Sequence, residues 1–120
     1  MDRILIVDDE VDLVTTYERL LRRKGYHVVS AGSCRDGIRL IEREPLALVV
    51  TDLRLPDGDG LEIVRAARRT PTPTPALVVT GFASASNRTA AMAAGASACL
   101  AKPFAASSLT TLVEQTLSGR

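Results

Sequence analysis

The sequence predicts an α/β fold, a five-stranded parallel sheet doubly wound by helices as (βα)5. Three observations predict it. Five short runs rich in Val, Ile and Leu recur along the 120 residues, each apolar almost throughout, as in strands covered on both faces. The segments between these runs carry apolar residues at helical spacing. The two kinds of segment alternate without exception, and parallel strands need such crossovers, which are right-handed. Five units are too few for a closed barrel, which takes eight units and about 250 residues, so the sheet is open.

The elements follow in order. The first strand is read at "RILIV" (3–7). Leu13, Tyr17, Leu20 and Leu21, at i, i+4, i+7 and i+8, give the first helix its apolar face. The basic last turn Arg22-Arg23-Lys24 complements the helix dipole, and Gly25 stops the helix. "HVVSA" (27–31) is the second strand, and Ser33 is the N-cap of a helix running through Ile38 and Ile41. "ALVVT" (47–51) is the third strand. After the turn Pro56-Asp57-Gly58-Asp59-Gly60, Asp59 with Glu62 three residues on predicts a capping box opening a helix through Val64 and Ala67. A second "ALVVT" (76–80) leads to the alanine-rich "SASNRTAAMAA", a fourth helix ended by Gly95. "ACLA" (98–101) is the fifth strand, and Leu109, Leu112, Val113 and Leu117 form the stripe of the last helix. One domain over residues 1–120 accommodates all of it.

Composition narrows the function classes. A net charge of +1 and a pI near 7.8 provide no overall field for nucleic acid or anionic membrane. With 3% aromatics and no Trp, base-stacking platforms are missing, so no direct nucleic-acid binding is expected. No run is long enough to span a membrane, and the N-terminal apolar run is too short for a signal peptide, so the expected localisation is cytoplasmic. Cys34 and Cys99 lack metal-ligand spacing and are read as reduced thiols. The triplet Asn87-Arg88-Thr89 matches a glycosylation acceptor, but without secretion the match is accidental. His27 opens the second strand and is read as a surface residue. Asp57 is read as structural, because its turn lacks the further ligands of a calcium loop.

Chemistry collects after the strands. In open parallel sheets, ligands bind at the carboxyl ends of the strands. Those ends read Asp8-Asp9-Glu10, Gly32-Ser33-Cys34, Asp52, Thr80-Gly81 and Lys102-Pro103, and only the second carries nothing chemical. Alone, each has a bland reading as a dipole partner, a capping hydroxyl or a solvated charge. Carboxylates, a hydroxyl and an ammonium at one edge together suit a divalent cation and a phosphoryl group. The cation offsets the repulsion between carboxylates and phosphate, while Lys102 and Thr80 hold the other phosphoryl oxygens.

Asp8-Asp9, Asp52, Thr80 and Lys102-Pro103, in this order at strand ends, resemble the receiver domain of two-component response regulators over essentially the whole chain. The segment "DLRLPDGDGLE" also resembles receivers that precede transcription-regulating output domains. The resemblance implies the flavodoxin-like strand order 2-1-3-4-5. It implies that Asp52 is a nucleophile taking a phosphoryl group from a sensor histidine kinase or a phosphotransfer domain. It implies Mg²⁺ or Mn²⁺ held by the side chains of Asp9 and Asp52 and the backbone carbonyl of Arg54, with Asp8 orienting a metal-bound water. Thr80 and Lys102 would contact the phosphoryl oxygens, and a cis Lys102-Pro103 bond would aim the lysine at the pocket. Such a domain switches conformation rather than turning over an external substrate. The implied partners are the kinase, an output domain C-terminal to the chain, and a second copy meeting through the fourth helix, fifth strand and fifth helix.

One departure stands out. Where receivers commonly carry Tyr or Phe, three residues before the lysine, this chain has Cys99, whose small thiol cannot repeat the steric change of a ring. Phe82 is the candidate source of bulk on that side, and Arg54 and Phe82 flank the pocket. A haloacid-dehalogenase-type phosphohydrolase would need an Asp-x-Asp pattern after the first strand, where Asp8 and Asp9 are adjacent. A flavin module would set its phosphate against the acidic edge. The serious rival is a pseudo-receiver that binds partners without phosphorylation, and phosphate uptake by Asp52 discriminates it.

Overall fold

The structure is a computed structural model, and it describes residues 2–119. The elements are β1 (Arg3–Val7), α1 (Val11–Arg23), β2 (His27–Ala31), α2 (Cys34–Arg43), β3 (Leu48–Asp52), α3 (Gly60–Arg68), β4 (Ala76–Thr80), α4 (Ala85–Ala94), β5 (Ala98–Ala101) and α5 (Ala106–Ser118). The five strands are all parallel, in the order β2-β1-β3-β4-β5. This is the predicted 2-1-3-4-5 order. Between β3 and α3 the chain adds a two-residue antiparallel ladder, Arg54–Leu55 against Gly58–Asp59, which the composition of the turn did not announce.

The strand alternation divides the core into two layers, because successive side chains point to opposite faces. Leu5, Val7, Val49 and Val78 face one side and pack with Ile41, Ile63, Val64, Ala67 and Ala91 from α2, α3 and α4. Ile4, Ile6, Val50, Leu77 and Val79 face the other and pack with Val14, Tyr17 and Leu21 of α1 and Leu109, Val113 and Leu117 of α5. Each such Val, Leu or Ile side chain contributes about 1.5–3 kcal/mol by leaving water. β3 and β4 are buried at every position, so they form a rigid central mount, whereas the edge strand β5 is half-buried throughout.

Helix ends match the sequence closely, with two adjustments. The Ser33 hydroxyl accepts from the Asp36 N–H (3.1 Å), and Gly95 closes α4 in the left-handed region at φ +110°. The face of α1 is rotated: Val14, Tyr17 and Leu21 are buried, while Leu13 and Leu20 are half-buried. At α3 Asp59 caps by accepting from the Leu61 N–H (2.8 Å), but Glu62 serves another partner, accepting from the Cys34 thiol (3.3 Å). His27 is exposed at the start of β2. Among the described residues no helix is long and apolar enough to cross a membrane.

Candidate functional site

Strand register brings the site together. Val7 pairs with Thr51, so Asp8 and Asp52 emerge from adjacent strands at the same edge. Asp52 pairs with Val79 and Thr80 with Ala101, which sets Thr80 and Lys102 at the next two strand ends. Asp8 stays within the sheet's hydrogen-bond frame, its N–H donating to the Ala31 carbonyl (3.1 Å) while its carboxylate accepts from the Glu10 N–H (2.9 Å).

Asp52 is fixed from several sides. One carboxylate oxygen accepts from the Leu53 N–H (2.6 Å) and, at 3.4 Å, from the Arg54 N–H. Its carbonyl accepts from the Thr51 hydroxyl (2.8 Å), and the Gly60 N–H returns to the Leu53 carbonyl (2.7 Å). A Cβ on Gly60 would lie 2.0 Å from the Asp52 carbonyl oxygen, so the close approach of the turn requires glycine there.

Lys102 closes the cluster. Its Nζ lies 3.0 Å from Asp8 Oδ2, 3.1 Å from Asp52 Oδ2 and 3.8 Å from Glu10 Oε1. Asp8 and Asp52 are only 2% and 7% exposed, so their charges depend on this pairing. Burial works against the ammonium, but the hydrogen bonds to Asp8 and Asp52 outweigh it and hold the Lys102 pKa above its ordinary value. The Lys102-Pro103 bond is cis, as the resemblance implied. Thr80 is fully buried, and its hydroxyl oxygen accepts from the Phe82 N–H (3.0 Å).

The acidic group is composed differently from the expected ligand set. Asp8, Glu10 and Asp52 each offer a carboxylate oxygen, all within 4.8 Å of one another. Asp9 is exposed and lies outside this group of three. The physical reason is the turn from β1 into α1, which folds the Glu10 backbone onto Asp8. Three carboxylate oxygens in so small a space, two of them on nearly buried residues, fit a hard divalent cation such as Mg²⁺ or Mn²⁺. The exposed Arg54 lends its backbone N–H to Asp52, and its guanidinium carbon lies 3.8 Å from the centre of the half-exposed Phe82 ring. The backbone carbonyl of Cys99 accepts from Arg88 (3.0 Å).

Two neighbours were not assigned to the site from sequence. Tyr17 is buried and stacks on Phe104, two residues beyond Lys102, with ring centres 5.8 Å apart. Burial raises its phenol pKa, Lys102 opposes this, and the charges of Asp8, Asp52 and Glu10 add to the rise. Asp57, at the tip of the turn after β3, accepts from the N–H groups of Cys34 (2.7 Å) and Arg35 (3.0 Å). A groove of about 900 Å³ lies elsewhere, between Pro45 and Leu46 before β3 and the Thr70–Pro75 segment before β4. It holds none of the clustered carboxylates, so size alone is a poor guide here.

Known proteins share this sequence pattern and fold. The response regulator receiver domain family matches residues 4–114. The response regulator protein PilR of Pseudomonas aeruginosa is 36% identical over 96% of this chain and 26% of its own length. The response regulator MprA of Mycolicibacterium vanbaalenii is 41% identical over 86% of this chain and 45% of its own. The chain thus spans from about a quarter to about half the length of the curated relatives it matches. Among solved structures, a CheY-like receiver domain protein from Methanospirillum hungatei superposes with a TM-score of 0.94 at 32% identity, covering 99% of this chain and 95% of that one. A response regulator from Burkholderia pseudomallei with a phosphorylated aspartic acid, a calcium ion and citrate superposes with a TM-score of 0.88 at 28% identity, covering 99% and 70%. By this family match and by its fold, the chain belongs to the receiver domains of response regulators, the signalling domains of two-component systems.

Proposed function

We propose that this domain is a phosphoacceptor: Asp52 takes a phosphoryl group from the phosphohistidine of a sensor histidine kinase or a phosphotransfer domain, in a reaction dependent on a divalent cation. The observation that carries the reading is the Lys102 ammonium held 3.0 and 3.1 Å from two nearly buried carboxylates, one of them the candidate nucleophile. As the Asp52 oxygen bonds to phosphorus, the phosphorus–nitrogen bond of the donor breaks and the imidazole leaves with its electron pair. Lys102 then follows the charge onto a phosphoryl oxygen, and the Thr80 hydroxyl donates to another. In-line transfer of this kind needs chiefly positioning and charge neutralisation.

Mg²⁺ or Mn²⁺ would be held by Asp52 with Asp9 and the Arg54 carbonyl, and Asp8 would orient a bound water. The proximity of Glu10 to Asp8 and Asp52 supports its joining that set. When bound, the cation supplies positive charge to the oxygens of the transferring group. The phosphorylated aspartic acid and calcium ion of the Burkholderia structure support an equivalent role here. Phosphorylation would shift the conformation that an output domain reads, a transcriptional one by analogy with relatives named as transcriptional regulatory proteins. A second copy would meet this one through α4, β5 and α5; a related receiver domain, named NtrC4, is described as a beryllofluoride-activated dimer.

The test is intact mass after incubation with Mg²⁺ and acetyl phosphate. One added phosphoryl group on the wild type, absent from Asp52→Asn and abolished by chelation, is the expected result. No uptake where a control receiver is phosphorylated would overturn the reading in favour of a partner-binding pseudo-receiver.

A further inference from the structure

We propose that Asp57 is a positioning residue for Asp52: it ties the tip of the turn after β3 to the start of α2 and so fixes the backbone of Leu53 and Arg54 beside the nucleophile. The inference rests on the reading of Asp52 as the phosphoacceptor and deepens it.

The turn is held from both ends. At its base Leu53 and Arg54 donate their N–H groups to Asp52, and Gly60 donates to the Leu53 carbonyl. Its interior is only the two-residue ladder Arg54–Leu55 with Gly58–Asp59. A hairpin that short has little stability of its own. At its tip Asp57 spends one carboxylate oxygen on the Cys34 N–H and the other on the Arg35 N–H.

These bonds are not needed merely to start α2. Ser33 already caps that helix locally through the Asp36 N–H, so Asp57 adds a link to a segment more than 20 residues away in sequence. One further contact lies along the same seam, and the turn passes close to it at Gly58. The Cys34 thiol donates to Glu62 in the first turn of α3, and a Cβ placed on Gly58 would lie 3.3 Å from the Cys34 Cβ. Together they lock the turn and the first turn of α3 to the start of α2. The carboxylate is well suited to this, since the two backbone donors favour its ionised form and lower its pKa. The position of the Arg54 backbone, the proposed carbonyl ligand, follows from this anchorage.

The test compares wild type, Asp57→Ala and Asp57→Asn by amide hydrogen exchange in metal-free protein, and by calorimetric titration with Mg²⁺ alone. In Asp57→Ala the Leu53 and Arg54 amides are expected to exchange faster along with those of Cys34 and Arg35. Mg²⁺ affinity is expected to fall about 10-fold, the low end for groups that orient ligands. Asp57→Asn keeps one acceptor oxygen and is expected to fall between. Faster exchange confined to Cys34 and Arg35, with Mg²⁺ affinity unchanged, would overturn the proposal and leave Asp57 a helix cap. Failure of the phosphoacceptor reading shows separately, as absence of phosphoryl uptake by the wild type, whereas exchange at Leu53 and Arg54 judges the anchorage with no phosphodonor present.

Discussion

Lys102 Nζ sits 3.1 Å from Asp52 Oδ2 and 3.0 Å from Asp8 Oδ2, so one ammonium bridges two nearly buried carboxylates at the ends of adjacent strands. Replacing it by the neutral Met leaves both uncompensated. Lys102→Met is therefore expected to lose about 3 kcal/mol of stability without divalent metal, measured by urea unfolding at neutral pH. The pH dependence has a definite sign. The folded-state pKa of Lys102 lies above the ordinary 10.5, so its contribution is complete below that value and is lost only as pH rises through the higher folded value. The wild type's advantage over Lys102→Met should hold from about pH 7 to 9 and shrink only in stronger alkali. A decline already at pH 8 would contradict the assignment.

The same ammonium competes with a divalent ion for those carboxylates. Mg²⁺ at ten times its Kd is expected to stabilise the wild type by about 1.4 kcal/mol, raising Tm by about 5 °C in a thermal scan against chelator. Asp52→Asn should lose most of this shift. Lys102→Met should bind Mg²⁺ more tightly than the wild type, because no ammonium has to be displaced.

Gly60 faces the Asp52 carbonyl more closely than any side chain permits. A methyl group there would sit 2.0 Å from backbone oxygen, which has no room to yield without moving the turn. Gly60→Ala is expected to cost more than about 2 kcal/mol and to slow phosphoryl uptake, checked by chemical denaturation and by the intact-mass assay. A neutral effect on both would show that the turn can open freely.

The two cysteines should react differently. Burial, together with the hydrogen bond to Glu62 and its charge, pushes the Cys34 thiol up to about 12, so it stays protonated near neutrality. Cys99 is half-buried on the edge strand β5. Brief iodoacetamide treatment of native protein, followed by peptide mass mapping, should therefore alkylate Cys99 ahead of Cys34. Glu62→Gln should narrow the difference, since it removes the anion that stabilises the Cys34 proton.

The sequence announces its elements because local rules govern them. The apolar runs are the strands, Ser33 and Asp59 cap where their spacing indicates, and Gly95 ends α4. The strand ends follow, since a parallel sheet sets every carboxyl end along one edge and brings Asp8, Asp52, Thr80 and Lys102 to it. Less legible were relationships between residues that no local rule connects. Three consecutive acidic residues follow β1, and only the fold of the β1–α1 turn brings the Glu10 carboxylate close to those of Asp8 and Asp52. Glu62 stands at capping-box spacing, yet the seam between α2 and α3 gives it the Cys34 thiol as its partner.

By itself, then, the sequence determined the order of strands and helices and the carboxylates, hydroxyl and ammonium gathered along one edge, through hydrophobic periodicity and the geometry of parallel crossovers. Only the tertiary structure decided the pairing of Lys102 with Asp8 and Asp52, the stacking of Tyr17 on Phe104, and the anchorage of the turn by Asp57. The reason is that side-chain hydrogen bonds act over about 3 Å, and which groups come that close depends on how loops settle on neighbouring elements, information no periodicity carries.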